Sequence, residues 1–210
     1  MKKILKTLLF LLLFPLEPLF ASSDPNLPAD CQIDTSMVAP FYYDGKGSHT
    51  YKLIDTQIVE GVFDNQYSVH WYVDTEEWDF APGEEYIFAK MTFTKGDKEV
   101  ASFYNDEGWS YIDVVDSKAQ MFKVVPLDDK YTALIFVGAP YAAGAPELAL
   151  FLLSDDGVNV LFNQELAFKN FDGRTLTIRN EHKHFTFDQG QITFFSNQYP
   201  SGKTIFRHIN

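Results

Sequence analysis

Apolar and polar side chains alternate one by one along much of this chain, and stretches with a helical repeat are scarce. Alternation places successive side chains on opposite faces of an extended backbone, so it predicts strands. In 85–94, Ile87, Ala89, Met91 and Phe93 fall on one face, and Lys90, Thr92 and Thr94 on the other. Segment 147–153 differs: Leu148, Leu150 and Leu152 alternate with Ala149, Phe151 and Leu153. Both faces are apolar, which predicts a central strand. Segment 131–138 (YTALIFVG) reads the same way. Further strands are predicted over 50–60, 66–73, 99–104, 109–115, 120–125, 158–162, 175–179, 183–188 and 191–196.

Short turn signals separate these segments: Asp64-Asn65, Lys95-Gly96-Asp97, Asp106-Glu107-Gly108, Asp155-Asp156-Gly157, Asp172-Gly173 and Gln189-Gly190. Hairpin turns need positive φ, which Gly adopts freely and Asn or Asp better than most. The expected fold is therefore all-β, an antiparallel hairpin meander arranged as a small propeller or as a sandwich or barrel. No substantial helix is expected. Residues 99–114 and 147–163 share an order of Glu, aliphatic, Ala, any residue and Phe before an acidic turn ending in Gly108 or Gly157. An internal repeat of propeller-blade length would produce that similarity.

Gly144-Ala145-Pro146-Glu147-Leu148, an apolar strand, Asp155-Asp156-Gly157 and then Val158 to Phe162 resemble one unit of the VCBS or FG-GAP repeats. That resemblance implies blades of an extracellular β-propeller, many of which hold calcium on alternating aspartates. Here Tyr141-Ala142-Ala143-Gly144-Ala145 stands where the aspartate run would be, so calcium does not carry over.

At the N-terminus, Lys2, Lys3 and Lys6 precede an apolar run from Leu8 to Phe14, and small residues follow at Ala21, Ser22 and Ser23. This is the layout of a secretory signal peptide over 1–21. Pro15 and Glu17 break the run well short of the ~20 apolar residues a membrane span needs. Residues 22–40, polar and Pro-rich, read as a flexible arm, and 41–210 as one all-β domain. Cys31 is the sole cysteine, so no disulfide can form within the chain and stability must come from burial. The 46% hydrophobic content, with 20 Phe, 11 Tyr and 3 Trp, supplies the apolar area for that. Formal charge is −12, and a chain this acidic is repelled by nucleic acid and anionic lipid.

Candidate chemistry is sparse. His182 and His184 share one face of a predicted strand, and Asp155, Asp156 and Asn159 carry oxygen ligands. Neither set reaches a full metal complement, so no metal and no cofactor are expected. Segment 74–85 (DTEEWDFAPGEE) places carboxylates, Glu77 and Glu84 among them, beside aromatics. Glycoside hydrolysis uses that combination. No Gly-x-Ser-x-Gly elbow or phosphate-binding Gly loop is present. The reading is an exported, periplasmic or surface-associated domain, not an enzyme, that binds a protein or glycan. Trp71, Tyr72, Trp78, Trp109 and Tyr141 are its expected ligand contacts, since aromatics dominate binding hot spots. The alternatives are a secreted carboxylate-dependent hydrolase and a structural envelope component docking through the arm.

Overall fold

Turns at Gly96, Asp155-Asp156-Gly157, Asp172-Gly173 and Gln189-Gly190 fold the alternating segments against one another. A computed structural model describes residues 29–41, 48–60, 66–76, 87–111, 122–140, 146–179 and 182–209. The expected leader, residues 22–28 and the expected turn at Asp64-Asn65 lie outside them. Every regular element among the described residues is a strand. The first seven are β1 (Cys31–Ile33), β2 (Tyr51–Ile58), β3 (Tyr67–Asp74), β4 (Phe88–Lys95), β5 (Lys98–Tyr111), β6 (Phe122–Pro126) and β7 (Thr132–Pro140). The remainder are β8 (Glu147–Ser154), β9 (Gly157–Glu165), β10 (Phe168–Phe171), β11 (Thr175–Ile178), β12 (His184–Asp188), β13 (Gln191–Phe195) and β14 (Lys203–His208).

These strands form two sheets. The smaller runs β1-β14-β13-β12-β11-β10; the larger runs β2-β3-β4-β5-β7-β8-β9, with β6 also paired to β7. All these strand pairs are antiparallel, as the alternation and turns predict. Gly190, at φ 65°, turns β12 into β13 where Asp188 faces Gln191.

Three expectations need correction. The arm is not free over its described part: β1 pairs with β14, Met37 is buried, and the Ala39 N–H donates to the Asn163 carbonyl at 2.9 Å. Its polar, Pro-rich composition hid Cys31, Ile33 and Met37, which supply the apolar contacts. Second, Asp106-Glu107-Gly108 is no hairpin turn. β5 runs through it, with residues 105–108 opposite Ala89 alone, and Gly108 takes a φ of 71°. A Cβ there would lie 2.1 Å from Ile87 Cγ2, so Gly serves a bulge and a close approach. Third, segment 99–114 is therefore one bulged strand over its described part, whereas 147–163 is the β8–β9 hairpin, and the two are not structural copies. Strands β10 and β14, too short or too evenly mixed for a clear alternation, were not predicted.

Strands β7 and β8 carry the core on both faces. Ala133, Ile135, Val137, Leu148, Leu150 and Leu152 pack towards the small sheet, against residues such as Phe185, Ile192 and Phe206. Leu134, Phe136, Ala149, Phe151 and Leu153 belong to a second core, shared with Trp71, Phe88, Met91 and Phe93 of the same large sheet. That sheet must curl for its own β3 and β4 to lie over β7 and β8. The second core is aromatic: Phe151 lies 5.2 Å from Phe93 and 5.1 Å from Phe103, ring centre to ring centre. The curl stops short of a closed barrel. A cavity of about 220 Å³, lined by residues 57–60 and 122–124, lies between β2 and β6.

The start of β1 is clasped to the β6–β7 turn. The Asp30 carboxylate accepts from Lys130 Nζ at 2.6 Å and from the Tyr131 hydroxyl. Asp128, in that turn, bonds His208 Nδ1 at 2.8 Å. The Lys130 and Tyr131 hydrogen bonds hold the Asp30 carboxyl down at about 2.

Two measurements check this architecture. Phe151→Ala should cost about 3–5 kcal/mol in urea unfolding, the range for truncating a fully buried aromatic. Asp30 should contribute stability above its unfolded value of ~4 and lose it as pH falls towards 2. Asp30→Asn should flatten that acid limb of the urea midpoint against pH.

Candidate functional site

In β3, Tyr67, Val69, Trp71 and Val73 face the aromatic core, which leaves Ser68, His70 and Tyr72 outside. In β4 the outer residues are Lys90, Thr92 and Thr94, as the alternation predicts. Register then aligns a row across four strands. Leu53 lies opposite Tyr72, Tyr72 opposite Lys90, and Lys90 opposite Tyr104. Tyr51, two residues before Leu53, comes to the same spot, its ring 5.6 Å from that of Tyr104.

Lys90 Nζ lies 5.0 Å from the ring centre of Tyr72, 5.4 Å from Tyr104 and 5.7 Å from Tyr51. Each electron-rich ring face attracts the ammonium, with about 0.5–1 kcal/mol per contact at an exposed site. All four side chains are half-buried. Leu53, at the end of the row, is 48% exposed and gives it an apolar margin. Among the described residues no carboxylate is ion-paired to Lys90. By contrast Lys95, Lys130, Lys203 and Arg174 each meet an aspartate.

The next rows are polar and already bonded among themselves. His70 bonds Thr56 Oγ1 at 2.9 Å through Nδ1 and Thr94 Oγ1 at 3.0 Å through Nε2. Thr92 and Ser102 hydroxyls lie 2.8 Å apart, and Ser102 donates to Glu99. At the other end His49 stacks on Tyr51 at 5.8 Å, and its Nδ1 lies 2.5 Å from Asp74 Oδ2. Asp74 is buried and also accepts from the Thr50 and Glu76 N–H groups. Burial alone would raise its carboxyl, but the bonds from His49, Glu76 and Thr50 outweigh this and hold it below the usual range. Asp74 thus anchors the platform's edge.

The expected aromatic contacts separate. Tyr72 is in the platform. Trp71 and Trp109 are fully buried, each with 0% of its surface exposed, so neither offers a face to a ligand. Both fall on the inward side of their strands, among Phe88, Phe122 and Phe136. Trp78 and Tyr141 lie outside the described residues, as do Glu77 and Glu84. Of the acidic segment only 74–76 is described. His184 stacks on Phe195 at 4.6 Å. Sequence reasoning missed Tyr51, Lys90 and Tyr104 as site residues. The polar face of β4 was legible; the neighbours that register sets beside Lys90 were not.

Beneath the large sheet, Trp109 donates its Nε1–H to Glu147, which also accepts from Asn105 Nδ2 at 3.3 Å. Burial pushes the Glu147 carboxyl up, with Glu165 adding like-charge repulsion, and the bonds from Trp109, Asn163 and Asn105 offset this only in part. No protein-family model, curated protein or solved structure matches the chain.

The sign of the Glu147 effect is testable. A carboxyl raised on folding binds its proton more tightly in the native state, so its penalty grows as pH rises past the unfolded value. Glu147→Gln should add on the order of 1 kcal/mol at pH 8 and much less at pH 4, read from urea midpoints against the unaltered protein.

Proposed function

We propose that this protein is an exported, non-catalytic β-domain that binds a glycan on the outer face of β2–β5. The observation that carries the reading is the row of Tyr72, Lys90 and Tyr104, with Tyr51 beside it, on a sheet face whose opposite side is fully packed. Sugar rings present flat C–H faces that stack on aromatic rings, and Tyr adds an O–H at low entropic cost. A rigid sheet suits this use, because the rings are held by register before any ligand arrives. Export rests on the cationic and apolar order of residues 1–21.

The aromatic row is what supports binding; Glu77 and Glu84, on which the hydrolase alternative rests, lie outside the described residues. Asp74, the first carboxylate of the acidic segment, is tied up by His49 and two backbone N–H groups, which leaves it poorly suited to move protons. A protein ligand would use the same face.

The test is retention on a panel of immobilised glycans, with Tyr72→Ala and Tyr104→Ala singly and together. Each single change should weaken retention roughly tenfold, the scale of one stacked aromatic contact, and the pair should abolish it. Unfolding midpoints should shift little, since these rings lie outside both cores. Retention unchanged in the double variant rules the platform out.

A further inference from the structure

Resting on the glycan reading, we propose that the platform selects a sugar bearing a single carboxylate, a uronic acid, with Lys90 as the residue that recognises it. The arrangement of Lys90 is the first reason. Its ammonium is held by three ring faces, which attract the charge without supplying an oxygen acceptor. A carboxylate arriving from solution meets an ammonium with no competing acid among the described residues. Other described cations, Lys52, Lys98 and Lys123 among them, also meet no carboxylate, so what sets Lys90 apart is the cage of three rings around its ammonium.

Dimensions and charge narrow the ligand further. Adjacent strands are about 4.8 Å apart, so the backbones carrying Tyr72 and Tyr104 stand about 10 Å from each other with Lys90 between them. That is the span of a disaccharide, with a ring stacked to one side and the acid function over Lys90. The net charge of −12 repels polyanions at long range. One carboxylate flanked by neutral sugar therefore fits, and a densely charged polymer does not. Leu53, exposed next to Tyr72, suits the C–H edge of an uncharged ring.

A matched pair of probes isolates the carboxylate: cellobiose, and cellobiouronic acid, in which one hydroxymethyl is a carboxylate. Calorimetric titration of the whole protein should show the acid binding roughly tenfold tighter, the scale of one charge-assisted hydrogen bond. Lys90→Met keeps the aliphatic stem and should bring the acid down to the neutral sugar's affinity, whereas Lys90→Arg should keep the preference. Tyr72→Ala should weaken binding of both sugars roughly tenfold. Equal affinity for the two sugars, with both weakened in Tyr72→Ala, overturns the carboxylate proposal and leaves glycan binding standing. A preference that survives in Lys90→Met also overturns it, as does tighter binding of polygalacturonate than of the disaccharide acid. No binding of either sugar by the unaltered protein overturns the carboxylate proposal and the glycan reading together. Near-ultraviolet circular dichroism of each variant separates lost binding from lost folding.

Discussion

The ladder between β7 and β8 has no solvent-facing side. From Thr132 opposite Leu153 to Gly138 opposite Glu147, its alternate side chains enter two different hydrophobic clusters. Such a ladder can exist only when something covers each face. The small sheet covers one, and the curled half of the large sheet covers the other. Two layers are therefore stacked on a shared middle, and the coverings are tied to each other through it. With no disulfide available, that double burial is the main source of stability. Side chains of the size of Phe136, Leu150 and Phe151 each contribute about 1.5–3 kcal/mol when removed from water.

The outer platform depends on this inner arrangement. β3 and β4 can show tyrosine and lysine to solvent only because Trp71, Met91 and Phe93 secure their opposite faces in the aromatic core. Alternation then leaves no freedom: slipping β4 by one residue would bury Lys90 and expose Met91, and slipping β3 would do the same to Tyr72 and Trp71. Position and orientation of the cationic centre are thus consequences of packing on the far side of the sheet. Asp74 and His49 fix the edge where β2 and β3 meet, through a hydrogen-bonded pair that shields a buried charge.

Much of the fold was legible because side-chain periodicity is local. The two-sided apolar runs at 131–138 and 147–153 identified the central ladder without knowledge of their partners. The polar side of β4 was visible for the same reason. Contacts set by distant residues were not visible. Cys31 and Ile33 sit in a segment whose composition reads as linker, and only β14, at the far end of the chain, makes them a strand. Gly108 carries the chemistry of a hairpin turn, and Ile87 makes it a bulge instead. Trp71 and Trp109 illustrate a limit of composition arguments, since an aromatic serves a core or a surface equally well and burial decides which.

The junction of β1 with β14 joins opposite ends of the described chain, and its kinetic meaning follows from loop-closure entropy. Contacts so remote in sequence are the costliest to bring together from a disordered coil. The β12–β13 hairpin and its neighbours can form early from nearby residues, whereas this margin of the small sheet must wait for them. It is consequently the natural first place for the native structure to fray, ahead of any loss of the buried middle layer.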